Sequence, residues 1–155
     1  MNQRMKRMGL GLGVTALFVV GGCAGRPALL PNPDPTLDKP STVFAADAVK
    51  RFPYKSDAPR GGEAVARAQV GYTLNRLDIV NLSDEDWSDV EVWVNQGYVV
   101  HVPLMKAHEL KRLNFQMLYN DNGQYFPVDN SKVLVKSVEL YRDGKMYTVP
   151  VQLAD

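Results

Sequence analysis

The sequence predicts an all-β domain: an antiparallel sandwich of about six to eight short strands behind one short helix. Three observations carry this. Val90, Val92 and Val94 alternate with Glu91, Trp93 and Asn95, and Val138 and Leu140 alternate with Ser137, Glu139 and Tyr141, the period of a half-buried strand. Hairpin dipeptides punctuate these runs, Asp143-Gly144 foremost. The 155-residue chain also has a single cysteine, so no disulfide replaces an apolar core.

Residues 1–22 carry the three parts of an export signal. Arg4, Lys6 and Arg7 are the positive part, and Leu10 to Val20 is an apolar run interrupted by two glycines and one threonine. That run is too short to cross a bilayer, which takes about 20 apolar residues. Small residues then lead into Cys23. Val20, Gly21, Gly22 and Cys23 resemble the lipobox of bacterial lipoproteins: an aliphatic residue, two small residues and the cysteine to be acylated. The resemblance covers residues 1–25. It implies a diacylglyceryl thioether on Cys23, cleavage before it, and a bilayer partner held through acyl chains. Each buried methylene contributes about 0.8 kcal/mol, so two or three chains hold where one is marginal. Ala24 stands where an aspartate would retain an enterobacterial lipoprotein at the inner membrane. An outer-membrane address on the periplasmic side of the cell envelope is therefore implied.

Loss of the signal leaves 15 basic residues against 17 acidic. Such a near-neutral balance argues against a nucleic-acid partner, and no motif implies a cofactor. Residues 23–40 are the lipidated N-terminus and linker, with Pro27, Pro31, Pro33, Pro35 and Pro40 crowded together. Proline at this density favours an extended stalk that reaches up to about 45 Å from the bilayer.

Residues 41–63 are expected to pack on the domain as a short helix and a loop. Ser41 or Thr42 would cap the helix, Val43, Phe44, Val49 and Phe52 would form its apolar stripe, and Pro53 would end it. Pro59 and Gly61-Gly62 mark the loop. The sandwich is expected over 64–155. Val70, Tyr72 and Leu74 share one parity and Leu77 and Ile79 the other, which predicts a bulge or sheet switch near Asn75-Arg76. Leu113, Phe115, Met117 and Tyr119 read as one face of a further strand. A two-residue turn at Asp143-Gly144 pairs Tyr141 with Met146, Leu140 with Tyr147, Glu139 with Thr148 and Val138 with Val149, and Pro150 marks a strand end. A three-residue loop at Asn95-Gln96-Gly97, with its glycine left-handed, pairs Val90, Val92 and Val94 with Val102, Val100 and Tyr98.

That register leaves Trp93 beside Val99 and Glu91 beside His101 on the face away from the valines. This face is the candidate partner-binding surface. Trp93, sharing parity with Trp87, is suited to anchor a protein or stack on a sugar, unless the N-terminal segment covers it. Glu91 and His101 form a candidate acid–base pair for a hydrolase, but no nucleophile accompanies them. Asp84, Asp86 and Asp89 are a weak calcium candidate without the EF-hand spacing; no other metal set is present. His108-Glu109 lacks the second histidine of a zinc motif. Asn120-Asp121-Asn122-Gly123 is turn chemistry. Asn81-Leu82-Ser83 matches a glycosylation acceptor, which has no meaning in a bacterium.

The run Ile79-Val80-Asn81-Leu82-Ser83, continuing to Trp87 and Val90-Glu91-Val92, is similar to immunoglobulin-like bacterial domains, as is the turn from Tyr119 to Gly123. The resemblance spans about fifty residues and implies only an immunoglobulin-like sandwich. The functional expectation is a lipid-anchored envelope module that binds another envelope protein through the Trp93 face or a strand edge. Carbohydrate or peptidoglycan recognition by Trp93 comes second, and an envelope enzyme third.

Overall fold

The computed structural model describes residues 39–51, 54–128 and 133–153. The signal, the lipobox with Cys23, the linker before Lys39, and the expected helix end at Phe52-Pro53 lie outside them. Helix α1, Ser41–Arg51, is followed by nine strands among the described residues. These are β1 Arg60–Glu63, β2 Ala66–Gly71, β3 Arg76–Asn81, β4 Trp87–Val94, β5 Tyr98–Met105, β6 Leu110–Asn114, β7 Val138–Arg142, β8 Lys145–Val149 and β9 Val151–Leu153. They form two sheets, in the orders β1-β8-β7-β4-β5 and β6-β3-β2-β9. The protein is thus an all-β sandwich. Val90, Val92, Val94, Val102 and Leu140 of one sheet and Ala66, Ala68, Val70, Leu77, Ile79 and Leu113 of the other are buried in its core.

One side of the sandwich is closed by two segments that run in parallel, β1 beside β8 and β2 beside β9. Both leave the five-stranded sheet and enter the four-stranded one at the same level. The Ala64 N–H donates to the Thr148 carbonyl at 2.8 Å and the Ala68 N–H to the Pro150 carbonyl at 2.9 Å. Pro150 has no N–H to give the β8 ladder, so the ladder stops there and the chain crosses, the strand end expected from sequence. One end of the sandwich is filled by a row of rings. Tyr72 stacks on Phe115 at 6.0 Å, Phe115 on Phe126 at 4.9 Å, and Tyr98 meets Phe126 edge-on at 5.1 Å. Helix α1 lies against β5 and the turn after β6, with Phe44 buried. Ser41 lies within the helix, and the Pro40 carbonyl takes the Val43 and Phe44 N–H groups.

The hairpin registers agree with the sequence reading. All four expected β7–β8 pairs form around Asp143 (φ +49°) and Gly144 (φ +73°), the left-handed pair that matches strand twist. The expected β4–β5 pairs form too. There the left-handed residues are Asn95 (φ +51°) and Gln96 (φ +57°), not Gly97. Asparagine tolerates this conformation, and Asn95 is held in it by tertiary contacts. Its Oδ1 accepts the Lys136 and Ser137 N–H groups, and its Nδ2 donates to the Leu134 carbonyl.

Four expectations are corrected. Residues 70–81 contain no bulge or sheet switch: 72–75 are a hairpin turn between β2 and β3, with Asn75 left-handed at φ +55°, so the parity change marks a reversal of the chain. The alternation through Tyr119 is not one strand. After Asn114 the chain winds into a 3-10 turn, Phe115–Met117, capped by the Asn114 side chain, which accepts the Gln116 N–H. Residues 60–63 are strand β1, not loop, because Gly61 admits the Tyr147 ring: a Cβ there would lie 2.1 Å from the Tyr147 Cε1 atom. Nine strands exceed the expected six to eight because 60–63 and 151–153 are short strands of their own and the reversal at 72–75 makes two strands, β2 and β3, of one stretch.

Asn81 is fully buried, and it organises the loop after β3. Its Nδ2 donates to the carbonyls of Glu85 at 2.8 Å and Lys106 at 3.0 Å, and its Oδ1 accepts the Ser83 N–H at 2.9 Å and hydroxyl at 2.7 Å. Asn81→Leu keeps the branching of the side chain but strands these groups. It is expected to destabilise the domain by about 2–3 kcal/mol in urea denaturation; Leu82→Ser, at a half-exposed neighbour, is the control expected to be near neutral.

Candidate functional site

The outer face of the five-stranded sheet carries the residues singled out for binding. Register aligns them in two rows: His101, Glu91, Tyr141 and Met146, and Val99, Trp93, Glu139 and Thr148. Alternation fixes which side they occupy, and strand order brings Glu91 beside Tyr141 and Trp93 beside Glu139. Neither neighbour was legible in the sequence.

This face is covered, the alternative to an open platform that the sequence left standing. Trp93 is 0 % exposed, Val99 1 % and Glu91 8 %. The segment leading into β1 lies over them. The Tyr54 ring meets Trp93 edge-on at 5.2 Å, and its hydroxyl donates to Glu139 Oε2 at 2.5 Å. Lys55 Nζ bonds Glu91 Oε2 at 2.5 Å and stands 4.3 Å from the Tyr141 ring centroid. Arg60 Nη1 donates to Glu139 Oε1 at 2.7 Å. Trp93 Nε1 donates to Glu91 Oε2 at 3.1 Å. Both carboxylates are matched, each by one cation and one neutral donor.

Magnitudes decide what this cluster does. A carboxylate buried without a partner costs several kcal/mol, whereas a partly exposed ion pair returns about 0–1 kcal/mol. The cluster therefore offsets a penalty more than it adds stability, and its effect is to fix where 54–60 docks. Burial pushes the Tyr54 hydroxyl above its ordinary 10.0, and the hydrogen bond to Glu139 adds to the rise, against the opposing effect of Arg60. The folded state thus favours neutral Tyr54, the form that donates to Glu139.

The other candidates are not brought together. Glu91 and His101 are cross-strand partners as expected, but Glu91 is held by Lys55 and Trp93, and His101 Nε2 lies 3.2 Å from Asp89 Oδ1. The expected acid–base pair is thereby divided. Asp84 faces His108 at 3.0 Å, Asp86 accepts the Ala107 N–H at 2.8 Å, and Asp89 faces His101. Among the described residues no three such side chains are grouped to hold a metal ion, so the calcium candidate falls away. Trp87 and Trp93 are also separated. Trp87, 2 % exposed, is capped by the Arg142 guanidinium at 4.7 Å, and Arg142 continues the parity of Val138 and Leu140. The left-handed Asp89, φ +50°, breaks the alternation between the two tryptophans.

Tyr54, Lys55, Arg60 and Glu139 escaped the sequence reading. Glu139 carried one signal: it follows an inward valine on a strand that the Asp143-Gly144 turn registers. Nothing local marks the other three.

Two outcomes are expected. Lys55→Met in a Trp87→Phe background leaves Glu91 to Trp93 alone; it should cost about 1–3 kcal/mol and raise acrylamide quenching of Trp93 fluorescence. Because the folded-state Tyr54 pKa is raised, its contribution is complete below pH 10 and is lost as pH climbs through the folded value. The urea midpoint difference between wild type and Tyr54→Phe should therefore hold steady to about pH 9 and shrink beyond pH 10.

No family model matches the chain, and neither a curated protein nor a solved structure matches it.

Proposed function

We propose that the protein is a lipid-anchored module of the bacterial cell envelope, held at the outer membrane through acylated Cys23, whose sandwich binds another envelope protein. The observation that carries this reading is Val20-Gly21-Gly22-Cys23 behind a basic and then apolar N-terminus. Acyl chains on one terminal residue leave the domain's surface free for a partner, and the proline-rich linker supplies reach. The sandwich contributes strand edges, a recurring means of peptide recognition.

The carbohydrate reading required Trp87 and Trp93 at the surface. Both are buried, so neither offers a sugar platform. Hydrolysis by Glu91 and His101 likewise has no support, since the two are engaged with different partners.

The test is metabolic. Wild-type protein expressed in a Gram-negative host should take up labelled palmitate and enter the detergent phase on phase separation. Cys23→Ser should remain unlabelled and retain its signal. A wild-type chain that stays in the aqueous phase without label sinks the proposal.

A further inference from the structure

The four sheet edges differ in how openly they present backbone groups. β1 has four residues, with a register irregularity between Arg60 and Gly62 and a left-handed Gly62 at φ +83°. β9 has three residues. On β5, Val99 is already bridged to Tyr119 through two backbone bonds, and Pro103, four residues further along the same edge, has no N–H. Short, irregular or proline-bearing edges resist further pairing. β6 has none of these devices.

The register of β6 decides which of its groups face outward. The Phe115 N–H donates to the Asn75 carbonyl and the Asn81 N–H to the Glu109 carbonyl. In the β3–β6 register, Leu113 and Lys111 therefore bond inward to Leu77 and Ile79. The N–H and C=O groups of Leu110, Arg112 and Asn114 point away from β3. Among the described residues none bonds to them. The side chains of these three residues stand on the outer face beside Val80, Asp78 and Arg76. Leu110 is 46 % exposed. Asp78 Oδ2 pairs with the Arg76 Nη2 donor at 3.0 Å, while Arg112 Nε is buried without a hydrogen-bond partner.

We infer that the β6 edge, Leu110–Asn114, is the docking edge for an extended segment of an envelope protein that adds as a further strand, with a carboxylate on Arg112 and an apolar side chain on Leu110. The inference rests on the protein-binding reading above and names the site and chemistry of its partner. The outward backbone dyads give affinity, and Arg112 and Leu110 give selection. Charge argues for a partner of different sequence: antiparallel self-pairing centred on Arg112 would set arginine against arginine in a second copy. Arg112 and Arg76 beside the single Asp78 leave this strip one positive charge in excess, suited to an acidic strand.

The experiment uses the full lipidated chain in intact cells, with a photoreactive amino acid placed in turn at Leu110, Asn114, Glu63 and Gln152. One protein should be captured from positions 110 and 114 and not from 63 or 152, and the captured peptide should alternate apolar and acidic residues. Arg112→Glu should lower its yield about tenfold or more, and Arg112→Lys should largely keep it. Arg112→Pro removes an outward N–H without touching the β3 ladder and should also abolish capture. Thermal melting of each purified variant checks folding; if the proline variant is unfolded, Arg112→Glu decides. Capture unchanged by Arg112→Glu, capture of a second copy of this chain, or capture only from 63 or 152 overturns the β6 assignment. Capture from 63 or 152 alone leaves the protein-binding reading standing, whereas no capture from any position ends both.

Discussion

Two glutamates on one face of a sheet, Glu91 and Glu139, set the terms for everything packed above them. Neither can be buried bare, and both are nearly buried. Tyr54, Lys55 and Arg60 supply the two cations and the hydroxyl that the pair needs. Because all three come from one short stretch, satisfying the carboxylates fixes the path of 54–60 across the sheet. That path lays Tyr54 over Trp93 and delivers the chain to β1, next to β8. The cover over Trp93 is a consequence of the charge matching, as is the start of the crossover that closes the sandwich.

The crossover in turn shapes the edges. β1 and β9 exist because the chain's entry and exit segments switch sheets together at Ala64-Val65 and Pro150, and each is too short to serve as a template for pairing. β5 is occupied by Tyr119 and interrupted by Pro103. On the other sheet β6 remains a regular five-residue strand with three outward backbone dyads. This asymmetry leaves one regular edge with open backbone groups, while the other edges resist non-specific sheet extension.

Legibility followed sequence distance. The Asp143-Gly144 and Asn95 hairpins pair residue for residue as their sequences predict, because a tight turn fixes its pairing within a few residues. Even there, the left-handed positions fell on Asn95 and Gln96, since Asn95 is held by Leu134, Lys136 and Ser137 far along the chain. The alternation rule failed where a local device broke it: the reversal at Asn75, the 3-10 turn after Asn114, and the left-handed Asp89 between Trp87 and Trp93. Nothing in the sequence around Asn81 marks it as the buried clasp of its own loop, because its partners include the Lys106 carbonyl, 25 positions away.

The sequence by itself determined the class of the fold, the two hairpin registers with the side chains that share a face within them, and the strand end at Pro150. These depend on backbone geometry over a few residues, where side-chain alternation and turn chemistry act. Tertiary structure alone decided what lies over that face and which charges meet. Lys55 reaches Glu91 across 36 positions, and Tyr54 reaches Glu139 across 85. Alternation says which way Trp93 points but carries no information on whether water or Tyr54 waits there. Exposure belongs to the assembled sheets, because it is set by strand order and by the need to neutralise Glu91 and Glu139 once they are buried.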